Sequence, residues 1–196
     1  MRPYTLHQRA QLFNLAFPHL PPLVVHKGFL YGYFFTGGGN VSNFYGSYQI
    51  EYLNRISSLF PDIRGPRELV HLFSGSMPPS DDYSRVGQDP TGQYIADIEC
   101  DAHKLSTYLP FNPSLIMADP PYSVEDSEHY KNSMVNRERV IQECALVLKP
   151  GGWIIWLDQA IPVFSNNSLR YRGCISYVRS TGNRFRCIVI FQKPLK

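Results

Sequence analysis

From Ser114 to Tyr122 the chain reads Ser-Leu-Ile-Met-Ala-Asp-Pro-Pro-Tyr. Leu115, Ile116 and Met117 make a short apolar run that reads as a buried strand over 114–118. Asp119-Pro120-Pro121 stops it, because a proline offers no N–H to a strand ladder and fixes its own φ. A carboxylate and a stiffened carbonyl are thus held at a strand tip, where open α/β sheets bind ligands.

That pair suits one kind of chemistry. The lone pair of an aromatic exocyclic amine is delocalised into its ring, so an attacking nitrogen must become tetrahedral and gain positive charge. The Asp119 carboxylate and the Pro120 carbonyl can each accept one amine hydrogen, which aims the lone pair and stabilises the charge. Tyr122 offers a face on which a flipped base can stack. The plainer alternative is a proline-stiffened turn ending in a surface tyrosine.

Outward from this stretch lie other short apolar runs. Glu68–Phe73 reads as a strand that ends in Ser74-Gly75-Ser76, where glycine lets the backbone approach a ligand closely. Ser84–Gln88, Tyr94–Glu99 and Trp153–Leu157 are further strand candidates. Arg137–Leu148 reads as a helix with Val140, Ile141, Cys144, Ala145, Val147 and Leu148 on its apolar face, stopped at Lys149-Pro150-Gly151-Gly152. Tyr48–Phe60 is a second helix, with Ile50, Leu53, Ile56 and Leu59 recurring before Pro61. Tyr171–Arg179 and Phe185–Gln192 alternate apolar with polar or basic residues across a turn-rich link, which is a hairpin pattern. Apolar strands joined by crossovers, then one hairpin, describe a mostly parallel sheet with an antiparallel edge. Residues 1–47 are rich in proline, glycine and aromatics and show no assignable pattern; they read as an extension or lid on a domain spanning 48–196.

The chain's 196 residues suit one core, and 43% apolar with 18% charged residues excludes a disordered chain. Net charge is +3 but uneven: Gln159 to Lys196 holds Arg170, Arg172, Arg179, Arg184, Arg186, Lys193 and Lys196 and no acid. Such a segment either neutralises phosphates or is a solvated strand face. Arg179, Arg184 and Arg186, on the hairpin, are the candidate contacts to nucleic acid. Cys100, Cys144, Cys174 and Cys187 form no C-x-x-C pair and have no histidine at zinc spacing, so no metal is expected and the thiols read as core residues. The start is no signal peptide and no apolar run nears 18 residues, so a cytoplasmic protein without a membrane partner is expected.

A nucleoside cofactor lying across the sheet would require acids at the following strand ends. Asp89 can accept from ribose hydroxyls and Asp101 from an adenine amine, with Asp97 and Glu99 as competitors.

Phe73-Ser74-Gly75-Ser76, Asp89, Asp101, Asp119-Pro120-Pro121-Tyr122 and Leu148-Lys149-Pro150-Gly151-Gly152, in that order, look like the motifs of the class I S-adenosylmethionine (SAM)-dependent methyltransferases. The Asp-Pro-Pro-Tyr form resembles the amino-methylating DNA methyltransferases, chiefly adenine-N6 and sometimes cytosine-N4, whose small members occur in phages and mobile elements. The resemblance covers about residues 44–192. It implies an α/β, Rossmann-like fold with a seven-stranded, mostly parallel sheet and an antiparallel last strand. It also implies SAM as cofactor, with Phe73, Ser74, Gly75, Ser76, Asp89, Asp101 and Asp119 as its contacts and Asp119, Pro120, Pro121 and Tyr122 as the catalytic group. By the same resemblance, Tyr45, Gly46 and Ser47 hold the amino-acid end of SAM, and the substrate is DNA or, alternatively, RNA.

Three departures qualify the likeness. Met77 stands where the family commonly has a second glycine, and His71 where an acid often precedes the phenylalanine by two residues. About ten residues, Pro78 and Pro79 among them, link Ser74 to the next strand, so the first crossover helix should be lost or reduced. No insertion is large enough for a separate target-recognition region. Only residues 1–43, with Tyr31, Tyr33, Phe34, Phe35 and Gly37–Asn40, can serve, so short, loose specificity is expected. A catalytically silent binding module of the same fold is the reading from another class.

Overall fold

The computed structural model describes residues 3–37, 39–40, 48–88, 95–121, 134–180 and 185–195. Helix α1 (Leu6–Ala16) starts at Thr5, whose hydroxyl accepts from the Gln8 N–H while the Gln8 side chain accepts from the Thr5 N–H. Strands β1 (Val24–His26) and β2 (Phe29–Thr36) follow, then α2 (Ile50–Leu59). The next strands are β3 (Leu69–Leu72), β4 (Ser84–Gly87) and β5 (Ile98–Glu99). A 3-10 turn (Ala102–Lys104) runs into the short helix α3 (Leu105–Tyr108), followed by β6 (Leu115–Ala118). Helix α4 (Arg137–Val147) is capped by the Asn136 side chain, which accepts from the Arg139 N–H. The chain closes with β7 (Trp153–Asp158), β8 (Arg170–Arg179) and β9 (Phe185–Gln192).

All of these strands form one sheet in the order β1-β2-β8-β9-β7-β6-β3-β4-β5. Strands β3 to β8 run parallel, β9 is antiparallel to both of its neighbours, and β1 is antiparallel to β2. From β5 to β8 this is the expected Rossmann-like class I methyltransferase sheet, seven strands with the last one reversed. The expectation needs one correction: the described sheet has nine strands, because β2 adds parallel to β8 and β1 follows at the edge. The link from β3 to β4 holds turns and no helix, as the two prolines required.

Gly173 makes the added join possible. It sits at an irregularity in the β8–β9 ladder with φ near +142°, opposite Leu30 of β2. A Cβ there would stand 2.0 Å from the Leu30 carbonyl oxygen, so any larger residue would push β2 off the sheet.

Each face of the sheet carries its own core. Helices α1 and α2 bury Phe13, Tyr52, Ile56 and Leu59 against Phe34, Met117, Ile155, Tyr177 and Ile190. Helix α4 buries Val140, Ile141 and Cys144 on the opposite face against Leu72, Ile116, Ile154 and Trp156. Arg9 fastens α1: buried beneath Phe60 and Trp153, it donates to both oxygens of Asp62 at 2.7 and 3.0 Å and to the Leu59 carbonyl at 2.9 Å. Among the described residues no helix is long and apolar enough to cross a membrane.

Candidate active site

Strand β3 pairs with β4 on one side and β6 on the other. The chain therefore builds outward from β3 through β4 to β5, then returns to lay β6 and β7 on the other flank. This reversal is the switch point of the sheet, and its crevice lies at the carboxyl ends of β3 and β6. Leu72 pairs with Ala118, so Phe73 and Asp119 leave the sheet side by side. Two motifs 46 positions apart in sequence thus meet at one point.

The turn after β3 is tight. Phe73 has φ +61° and Gly75 φ +48°, left-handed conformations that are costly for the phenylalanine and easy for the glycine. The Ser74 N–H donates to the Val86 carbonyl at 3.2 Å and the Met77 N–H to the Ser74 carbonyl at 3.0 Å, which anchors the turn to β4. A Cβ on Gly75 would meet nothing closer than the Phe73 carbonyl oxygen at 4.0 Å, so the turn leaves open space on that side. Met77 is buried in the α1–α2 core, and its carbonyl accepts from Arg85 at 3.2 Å. A side chain, rather than a second glycine and a helix, fills that position.

The Asp119 charge acts on three buried phenols, Tyr48, Tyr52 and Tyr177. Burial is the first cause that pushes the Tyr48 and Tyr52 phenols well above their usual range, and the Asp119 charge is the second for both. The Tyr177 phenol is also raised by burial, while Arg186 and Arg179 pull it down and Asp119 pushes it up. The rings of Tyr48 and Tyr52 are stacked at 5.5 Å, and those of Tyr52 and Tyr177 meet at 5.6 Å. The Tyr177 hydroxyl donates to the Gln49 side-chain oxygen at 2.6 Å, and the Thr36 hydroxyl donates to the same oxygen. The buried hydroxyls of Tyr48 and Tyr52 have no hydrogen-bond partner among the described residues, and neither has Nδ1 of His71. His71 lies between the rings of Tyr48 and Tyr83, and burial lowers its pKa to about 4, so it is neutral at ordinary pH.

The predicted residues are distributed unevenly around this crevice. Phe73 and Asp119 leave the β3–β6 pair side by side, with Ser74, Gly75 and Ser76 following in the turn after one and Pro120 and Pro121 after the other. Arg186 and Arg179 belong to the inner face with Tyr177, and the Nε atom of each is buried; Arg179 also donates to Asn40 at 3.1 Å. Asp101 lies farther out, after β5. It accepts from the His103 N–H at 3.0 Å and lies 2.7 Å from His103 Nδ1, while His103 Nε2 accepts from the Asn136 N–H at 3.0 Å. Burial raises the Asp101 carboxyl, but the bonds to His103 outweigh it and hold the group below the usual range. Asp97 is committed to Arg85, whose bonds hold it ionised, and it precedes β5. Glu99 is exposed at the end of β5. Tyr45, Gly46, Ser47, Asp89, Tyr122 and Arg184 lie outside the described residues.

Tyr48, Tyr52, Tyr177 and Gln49 were not singled out from the sequence. The signal was present for the first two: in the helix expected over Tyr48–Phe60, tyrosines four apart share one face, although α2 itself begins at Ile50.

The open side of the Gly75 turn lets a ligand approach the backbone, and three buried polar atoms, the Tyr48 and Tyr52 hydroxyls and His71 Nδ1, have no partner among the described residues. Among the described residues no group of three or more His, Cys, Asp or Glu side chains is arranged to hold a metal ion.

No protein-family model matches the chain, and no curated protein sequence does. Among solved structures it is similar to TrmN from Thermus thermophilus, at 15% identity and a TM-score of 0.48, over 73% of this chain and 47% of that one. It is also similar to a methyltransferase from Pyrococcus furiosus, at 11% identity and a TM-score of 0.40, over 96% and 98% of the two chains. The chain spans about half the length of TrmN. The fold assignment rests on strand order and direction, not on these likenesses.

Proposed function

We propose that this chain is a SAM-dependent methyltransferase acting on an exocyclic amine of a nucleobase, adenine N6 in DNA. One observation carries the reading: Asp119-Pro120 emerges at the sheet's switch point beside the left-handed turn of Phe73–Ser76. When bound, SAM supplies a methyl group on a positively charged sulfur. In this reading Phe73–Ser76 take the cofactor's amino-acid side, with Tyr45, Gly46 and Ser47, while Asp89 and Asp101 take its ribose and adenine.

Asp119 and the Pro120 carbonyl each accept one amine hydrogen, fixing the nitrogen with its lone pair towards the methyl group. Such alignment replaces the entropy of a chance encounter. As the amine nitrogen takes up the methyl group it would become positive, and the Asp119 carboxylate would stabilise that charge. One N–H proton then leaves towards the carboxylate, restoring a neutral amine. Pro121 keeps the turn rigid, Tyr122 stacks on the target base and Arg184 neutralises a flanking phosphate; Arg179 and Arg186, turned inward beside Tyr177, are left out of that contact.

Tritiated SAM offered with DNA and with RNA separately tests this reading. Label should enter DNA and, after digestion, co-migrate with N6-methyladenosine's deoxy form. Label confined to RNA would remove the DNA assignment. No transfer together with no SAM binding would remove the enzyme.

A further inference from the structure

The two strands beyond the seven-stranded unit leave one face uncovered. Along β2 the side chains alternate: Leu30, Phe34 and Thr36 are buried towards α1 and α2, while Tyr31, Tyr33 and Phe35 on the other face are 46%, 41% and 53% exposed. Val24, paired with Tyr31, and Phe185 at the start of β9 are also exposed, at 54% and 62%. Soluble proteins seldom leave a contiguous row of large rings open to water without using it.

Charge indicates what such a row would bind. Strands β1, β2, β8 and β9 come from residues 1–50 and 159–196, which together hold ten of the nineteen lysines and arginines and none of the sixteen acids. Every acid lies between 51 and 158. The sheet brings the two basic segments into one half, with Lys27 and Arg170 exposed at its amino end. A symmetric second copy would set this positive half against itself.

We propose that the exposed face of β2 is a stacking platform for unpaired nucleotides. Alternate residues on a strand stand about 7 Å apart, which leaves room for one base on each of Tyr31, Tyr33 and Phe35. Stacking needs only the flat face of a base, so the platform reads no sequence, and exposed Lys27 and Arg170 supply positive charge for the phosphates. Strand β2 runs parallel to β6, so Phe35 and Asp119 lie near the same edge of the sheet, four strand positions or about 19 Å apart, but on opposite faces, since Asp119 sits beneath α2. A strand held on the platform would reach Asp119 by turning round that edge. The platform extends the nucleic-acid reading above, but its readout is binding without SAM, so the two can fail separately.

The test is fluorescence anisotropy with fluorescein-labelled single strands of about fifteen nucleotides, deoxy and ribo, and with a blunt duplex. The Tyr31→Ala/Tyr33→Ala pair should bind single strands at least about tenfold more weakly than wild type, while Tyr31→Phe/Tyr33→Phe should bind nearly as well. Wild type should prefer a single strand to the duplex. Equal binding by the alanine pair, or a preference for the duplex, would overturn the proposal. So would a wild-type dimer in sedimentation that the alanine pair breaks.

Discussion

The ring of His71 meets the ring of Tyr48 edge-on, with centroids 5.7 Å apart and planes at 66°. Tyr83 closes the other side at 4.7 Å, so the imidazole is enclosed by aromatic rings and its proton affinity is depressed. Unfolded, the same histidine would titrate near 6.5; folded, it titrates near 4. Between those values the unfolded chain binds the extra proton, so stability is complete above pH 6.5 and is lost as the pH falls towards 4. The loss amounts to about 3 kcal/mol. Urea midpoints measured from pH 7.5 downwards should drop steeply in wild type and less in His71→Phe; parallel curves would count against a buried neutral imidazole.

Asp119→Asn keeps the shape of the carboxylate but replaces one acceptor with a donor that opposes the amine hydrogens. Methyl transfer should fall by about a hundredfold or more, while SAM binding by equilibrium dialysis changes by only a few fold. Wild-type turnover would show that the amine is not aligned by this side chain.

Tyr48→Phe and Tyr52→Phe each remove a buried hydroxyl with no partner among the described residues. An unsatisfied hydroxyl costs about 1–3 kcal/mol, so both variants should melt higher than wild type without ligand. If the ligand supplies the missing partner, the same variants should show a smaller rise in Tm when SAM is added. A lower Tm in the ligand-free state would mean that these hydroxyls are already satisfied.

Gly173→Ala forces a Cβ to within 2.0 Å of the Leu30 carbonyl, at a φ that disfavours any side chain. The β2–β8 ladder should give way at a cost of more than about 3 kcal/mol, and limited proteolysis should then cut within residues 20–36. Gly39→Ala is the control, since a Cβ there meets nothing within 4 Å. Equal resistance in the two variants would show that the join tolerates a side chain.

Much of the architecture could be read from local patterns. β6, β7 and the closing hairpin fall within a residue or two of the apolar runs that announced them, because buried strands and alternating strands leave plain signatures. β2 was hidden: Phe29-Leu30-Tyr31-Gly32-Tyr33-Phe34-Phe35 is apolar on both sides, so its alternation of buried and exposed positions does not show in residue type. β5 has only two residues, too few for any period. Asp119 was legible because proline marks the strand end. The phenols around it were not, since Tyr52 on α2 and Tyr177 on β8 meet only through the packing of the helix on the sheet. The basic hairpin looked like an outer surface; yet Arg186, paired with Tyr177 in the ladder, turns inward with it.

The missing helix between β3 and β4 shifts where support for the crevice must come from. With only a bonded turn on that flank, the wall over Asp119 is built by α2, which precedes the first strand of the seven-stranded unit and carries Tyr52, with Tyr48 just before it. Loosening the Arg9–Asp62 clamp should therefore slacken the roof over Asp119 from the far end. In this chain that ceiling hangs from the amino-terminal helices.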